Sequence, residues 1–192
     1  GLIRRMLDPE RFEIEIIFTT RARHAVELAR EAVDLGFDMV AVAGGDGSMN
    51  EAASSLIGSN VSLAILPFGS GNGLARHLGI PLEPEKAIQL IEAGNTAVID
   101  TFRAGPFTAI GTFGIGFDAH VAHLFARSSK RGYATYVKLV LREFKDFPPL
   151  QLQLEIDGAP FRFSAFLATF ANSSQFGNNA VIAPFADIQD GL

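Results

Sequence analysis

Apolar residues recur along this chain in two rhythms, and the switches between them mark its elements. Glu13 to Thr20 alternates, with Ile14, Ile16 and Phe18 on one side, which predicts a strand. From Ala22 to Leu35 the period lengthens: Ala22, Val26, Ala29 and Val33 form a helical stripe, and Gly36 is the stop. Asp38 to Ala43 is a short apolar run, a strand pattern that suits burial on both faces of a parallel sheet. A glycine turn follows, then a helix from about Ser48 to Ile57 and a third strand from Ser62 to Leu66. Strand, helix, strand, helix, strand at short spacing predicts an α/β unit. Ligands of such sheets collect beyond the carboxyl ends of the strands, where Thr19, Gly44 and Pro67 fall. A short helix from Leu74 to Leu78, a helix from Pro84 to Glu92 and a strand from Thr96 to Phe102 complete this part.

The pattern changes after Arg103 to Pro106, where a domain boundary is placed, giving 1–104 and 105–192. Phe107 to Phe113 reads as a strand, and Phe117 to Arg127 and Tyr133 to Phe147 as helices. Leu150 to Ile156, Asp157-Gly158 and Phe161 to Ala171 form a predicted hairpin. Residues 172–192 are rich in Asn, Ser, Gly and Asp and read as loop. The fold expectation is an α/β nucleotide-binding domain with a parallel sheet, followed by a mainly antiparallel, sandwich-like domain. The sequence reads as truncated at both ends.

Candidate chemistry centres on Gly44-Gly45-Asp46-Gly47-Ser48-Met49-Asn50-Glu51. Glycines let backbone N–H groups approach a ligand, and the following helix adds its free amides and the positive end of its dipole. An anion such as phosphate suits that place. Asp46 is out of keeping there, because a carboxylate repels phosphate unless it works through a metal or takes a proton. Its rival role is to cap the helix and shape the turn. Asn50 and Glu51 read equally as ligand contacts or as ordinary first-turn residues. The second loop, Pro67-Phe68-Gly69-Ser70-Gly71-Asn72-Gly73, leaves the neighbouring strand. Two such loops side by side are more specific than either alone and could hold a di- or triphosphate.

Composition narrows the classes. The 192 residues are 48% hydrophobic and 19% charged, which is globular. No apolar run approaches the ~20 residues of a membrane span. Cys is absent, so disulfides and thiolate metal sites are excluded, in keeping with a reducing cytoplasm. The net charge of −5 argues against broad nucleic-acid binding. There are 17 Phe and no Trp, and Phe serves a core or a lipid-facing groove equally well. His120 and His123 stand one helical turn apart near Asp118, without a third ligand at a telling spacing, and read as a surface or half-buried pair. His24 and His77 read as structural. Lys130 and Arg131 form a small basic cluster that reads as a solvated loop before it reads as a phosphate or headgroup contact. Asp118 reads first as a helix cap and second as a residue near the substrate.

Taken together, the two loops with Leu74-Ala75-Arg76 resemble the catalytic domain of the diacylglycerol kinase and sphingosine kinase family, most nearly its bacterial soluble lipid kinases. Gly114-Ile115-Gly116-Phe117-Asp118-Ala119, Ala171-Asn172-Ser173, Ile182-Ala183-Pro184 and Asp187-Ile188-Gln189-Asp190-Gly191 agree with it, so the resemblance covers nearly the whole chain. It implies two domains with the active site between them and ATP-dependent phosphorylation of a lipid hydroxyl with Mg²⁺. It places Gly44, Gly45, Asp46, Gly47, Ser48, Met49, Asn50 and Glu51 at the ATP phosphates, with Thr19, Gly69, Ser70, Gly71 and Asn72 as further nucleotide contacts. Asp46 is the catalytic candidate. Asp187, Asp190 and Leu192 match the family's Mg²⁺ loop.

The sequence also departs from the family. Gly73 stands where Asp is common, Ser48 stands where Thr is usual, an opening Asn-Pro motif is not found, and the downstream Asp-Gly-Glu motif lies past Leu192. The chain as given is therefore expected to be impaired as a catalyst. The implied partners are ATP and a lipid met at a membrane surface, with a peripheral, cytoplasmic location. A homodimer is left open. An NAD-kinase-like or other small-molecule kinase, and a non-catalytic nucleotide- or lipid-binding homologue, are the competing readings.

Overall fold

The computed structural model describes residues 1–128 and 132–191. Lys130, Arg131 and Leu192 lie outside the described residues. The chain divides into two compact units, 1–111 together with 171–192, and 112–170.

The first unit opens with α1 (Leu2–Met6) and α2 (His24–Asp34). β1 (Met39–Gly44) leads into α3 (Asp46–Leu56), and β2 (Ser62–Pro67) leads into α4 (Gly73–His77). α5 (Pro84–Ala93), β3 (Phe102–Ala104) and β4 (Phe107–Ala109) follow. β1 and β2 pair in parallel with Met39 opposite Ser62 and Gly44 opposite Pro67. Parallel pairing in register brings both strands to their carboxyl ends at one level, so the loops that follow start side by side. α3 is amphipathic by small residues. Met49, Ala52, Ala53 and Leu56 are buried, and with Ala25 and Ala29 of α2 they form the main core. Ala at these positions lets the two helices approach closely, and the Ser55 hydroxyl donates to the Val26 carbonyl across the interface at 2.8 Å. Ile188, from the far end of the sequence, is buried in the same core. A second cluster gathers Leu7, Leu66, Ala87, Ile88 and Ile91.

The second unit contains β5 (Thr112–Gly116), α6 (Phe117–Arg127), α7 (Tyr133–Glu143), β6 (Leu150–Ile156), β7 (Ala159–Ala165) and all but the last residue of β8 (Leu167–Ala171). β5 neighbours β8, and β6 pairs antiparallel with β7. The β6–β7 turn places Asp157 at φ 51° and Gly158 at φ 79°. These are the left-handed values a two-residue hairpin turn needs, and Asp-Gly tolerates them. Phe117, Val121 and Leu139 are the buried centre, ringed by Phe147 and Phe166. Edge-to-face and tilted ring contacts of this kind each add about 0.5–1.5 kcal/mol beyond area burial.

Several expected elements change. Residues 13–20 form no ladder, and Phe18 is 81% exposed. The alternation there records one buried contact, Ile14 against the second cluster, and a strand needs a hydrogen-bonding partner as well. Thr96 to Phe102 is likewise not a strand. Asp100 N–H donates instead to the Ile188 carbonyl at 2.8 Å, and pairing begins only at Phe102. The expected strand from Phe107 to Phe113 breaks at Ile110-Gly111, and the one from Phe161 to Ala171 breaks at Phe166. β1 is not buried on both faces, since Ala41 and Ala43 are exposed in its two-stranded sheet.

Candidate functional site: two glycine loops in contact

The two loops touch. Phe68 N–H donates to the Gly44 carbonyl at 2.8 Å, extending the β1–β2 ladder one residue into the loops. Beyond it the chains pass so closely that a Cβ on Gly69 would stand 2.4 Å from Gly45 Cα. Only glycine fits at that crossing. Asp46 then ties the loops together. Its Oδ1 accepts from Leu74 N–H at 3.1 Å, so it caps α4, the helix after the other loop. The expectation that Asp46 caps its own helix is corrected: Gly45 is the N-cap of α3, with no side-chain capping bond.

α3 starts at Asp46, two residues earlier than its pattern indicated, and this decides which amides are free. Met49 N–H is bonded to the Gly45 carbonyl at 3.1 Å, which leaves the first-turn amides of Asp46, Gly47 and Ser48 without an intrahelical acceptor. Gly47 and Ser48 are exposed, as is Ser70 on the second loop. Unpaired amides at the positive end of an 11-residue helix form a place for an anion.

Other residues of the predicted site have different engagements. Met49 is fully buried in the core, so neither its side chain nor its amide faces a ligand. Asn50 donates through Nδ2 to the Thr108 carbonyl at 2.8 Å and accepts from Ile110 N–H at 3.1 Å. It pins α3 to the end of β4. Asn72, 5% exposed with φ 53°, accepts from Gly69 N–H and donates to the Gly69 carbonyl, at 2.8 and 2.9 Å, and so holds the second loop in shape. Glu51 accepts from Arg23 N–H at 3.3 Å, and Thr19 is exposed.

The sequence reading missed residues 174–179, which read only as loop. They pack on the second glycine loop. Asn178 N–H donates to the Gly71 carbonyl at 3.1 Å, and His77 Nδ1 accepts from Ser174 N–H at 3.1 Å. A Cβ on Gly73 would stand 2.7 Å from the Gln175 carbonyl oxygen, and one on Gly177 would stand 2.6 Å from Gly71. The family's Asp therefore has no room at position 73 in this chain. Gln175 Oε1 is buried with no partner among the described residues, a cost of about 1–3 kcal/mol that the packed loop carries. The available signal was Gly177-Asn178-Asn179, three residues that favour positive φ and adopt it here.

The segment matched to the metal loop is engaged within the protein. Asp187 Oδ1 accepts from Gln189 N–H at 3.0 Å, and the Ile188 carbonyl accepts from Asp100 N–H. Gly191 N–H donates to Asp100 Oδ2 at 2.8 Å. Among the described residues no three His, Cys, Asp or Glu side chains converge. Leu192, the third residue matched to the Mg²⁺ loop, lies outside the described residues. In the second unit, His120 hydrogen-bonds Glu143 at 2.8 Å and lies against the Phe147 ring, so the His120–His123 pair holds no metal geometry. That bond, followed by Arg142, holds the Glu143 carboxyl below its ordinary range. Asp118 accepts from Ala119 N–H at 2.8 Å and from the Thr169 hydroxyl at 3.3 Å, in space that a Cβ on Gly114 would fill. Burial raises its carboxyl above the ordinary range, and the two hydrogen bonds only partly offset this.

Residues 1–104 match the model of the diacylglycerol kinase catalytic domain, and residues 111–192 match the YegS C-terminal NAD kinase beta sandwich-like domain. The chain is 35% identical over 179 residues to a diacylglycerol kinase of Mycobacterium tuberculosis H37Rv, covering 89% of this chain and 58% of that protein. It is 29% identical over 183 residues to a Pseudomonas putida protein named "Probable lipid kinase YegS-like", covering 93% and 62%. A solved structure of a diacylglycerol kinase from Bacillus anthracis shares the fold, with TM-score 0.75 and 23% identity over 98% of this chain and 64% of that one. The chain thus spans about three fifths of the relatives it matches. Its paired glycine loops and its first 104 residues place it in the diacylglycerol kinase catalytic domain family.

Proposed function

We propose that the protein containing this chain transfers the γ-phosphoryl group of ATP to a lipid hydroxyl, diacylglycerol-like or sphingoid-like. The observation that carries this reading is the contact of Gly45 with Gly69, which sets two backbone loops against each other beside the free amides of α3. Phosphoryl transfer is mainly positioning and charge stabilisation, so a backbone cradle is the part of the machinery a fold must supply. The amides of Asp46, Gly47 and Ser48 and the second loop at Ser70 and Gly71 hold the phosphates. Mg²⁺ enters on the nucleotide as part of the substrate and offsets its charge.

Asp46 is the proposed catalytic carboxylate. Its Oδ1 is fixed by Leu74 N–H, and Oδ2 remains to orient or accept the proton of the lipid hydroxyl. The bond to Leu74 sets the carboxylate's direction before substrate arrives. Among the described residues no helix is long and apolar enough to cross a membrane.

The test is an assay of the full-length protein with labelled ATP, offered diacylglycerol, a sphingoid base and NAD separately. Incorporation into a lipid supports the reading. Incorporation into NAD alone, or into none, overturns it.

A further inference from the structure

Gly71 lies in the second loop, and its carbonyl receives two donors from outside that loop. Arg76 Nε donates to it at 3.1 Å and Asn178 N–H at 3.1 Å. The same Arg76 guanidinium donates through Nη1 to Asn179 Oδ1 at 3.0 Å. A single side chain on α4 therefore joins the glycine loop to residues more than a hundred positions later. The joint is tight on its other faces too, since Gly177 lies against Gly71 and Gln175 against Gly73, with no room for a Cβ at Gly177 or at Gly73. Asn178 and Asn179 adopt positive φ, 49° and 61°, to reach this position. Asn is among the non-glycine residues that tolerate such values, so the two positions suit this tight return of the chain.

The peptide bond gives this joint its consequence. A trans peptide carries its C=O and N–H in opposite directions. There is no cis bond in the described chain. Two donors that hold the Gly71 carbonyl toward Arg76 and Asn178 thereby hold the Asn72 amide facing the other way. We propose that Arg76 is a positioning residue for the nucleotide: with Asn179 it locks the Gly71–Asn72 peptide and so fixes the second loop in the shape that meets the phosphates at Ser70 and Gly71. Arg76 does not touch the phosphates itself. Arg is suited to the task because its planar fork serves two acceptors at once, which a Lys ammonium does not do with the same geometry. The proposal rests on the reading of this site as an ATP site, and it adds a clamp closed by the C-terminal part of the chain.

The test has two arms on the full-length protein. The first needs no ligand. Hydrogen exchange at the Asn178 amide is slow in the wild type and speeds up at least tenfold in R76A and in N179A, because each change loosens the loop that carries it. Unchanged exchange in both variants overturns the clamp. The second arm is calorimetric titration with ATP and with adenosine. R76A and N179A each weaken ATP by about tenfold, the scale of one charge-assisted hydrogen bond, and leave adenosine unchanged. R76K behaves like R76A, N179D retains the acceptor and binds ATP like the wild type, and the double variant is no weaker than R76A. Wild-type affinity for ATP in R76A, or equal losses of ATP and adenosine, overturns the positioning role. Faster exchange in the variants of a protein that binds no ATP in its wild-type form overturns the kinase reading and with it the nucleotide role, while the clamp itself stands.

Discussion

Single glycines in this site are constrained in opposite ways, and substitutions separate them. Gly69→Ala puts a Cβ 2.4 Å from Gly45 Cα, a backbone atom that cannot swing aside. The overlap is expected to cost on the order of 1–3 kcal/mol, seen as a lowered Tm, together with loss of ATP binding. Gly47→Ala meets nothing within 4 Å, in a helix where Ala is favoured by roughly 0.5–1 kcal/mol. Its Tm is expected to hold or rise, so any loss of ATP affinity in that variant reports the space the phosphates need. Asp118 offers a titration test. Its folded-state carboxyl is raised by burial, so it binds its proton more tightly in the native protein than in the unfolded chain. The stability it contributes is present below the unfolded value near 3.9 and is lost as pH rises through the higher folded one. Asp118→Asn keeps an acceptor for Ala119 and stays neutral, so the gap in Tm between variant and wild type is expected to widen in the variant's favour from pH 4 to pH 7. A gap that narrows over that range contradicts the assignment.

Elements are held by a few side chains that sequence patterns do not announce. Asn50 joins α3 to the end of β4 through two hydrogen bonds to backbone. Asn50→Ala leaves the Thr108 carbonyl and the Ile110 amide without those partners, at a cost of about 2 kcal/mol in denaturant unfolding. The periodic helices were legible: α2, α3, α5, α6 and α7 lie within a few residues of where their apolar stripes put them, because a stripe and its glycine or proline stops are local properties. The glycine loops were legible because their spacing follows two strands that pair in register. What could not be read was long-range pairing. Residues 13–20 carry strand alternation but find no ladder, and Asp100 takes its partner from Ile188 rather than from a strand. Asn50 and Asn72 looked like ligand contacts, since nothing in the sequence says that their amides are already engaged with Thr108, Ile110 and Gly69. The 174–179 loop was invisible for the same reason: its contacts with Gly71 and Gly73 cross a hundred residues.

For the whole molecule, the functional account depends on the first unit, which holds both loops, the Asp46 tie and the returning C-terminal segment. The second unit is described by its own core and by Asp118. Family membership follows from the matched domain, and the reaction stands as a proposal. The most direct measurement is an amide spectrum of the full-length protein labelled with [15N]glycine, titrated with ATP and then with adenosine. The account predicts that ATP shifts Gly45, Gly47, Gly69 and Gly71 together, that adenosine leaves them nearly unmoved, and that Gly58, Gly94 and Gly158 respond to neither. ATP shifts confined to one loop, or equal shifts from adenosine, would contradict a phosphate grip shared between the two loops.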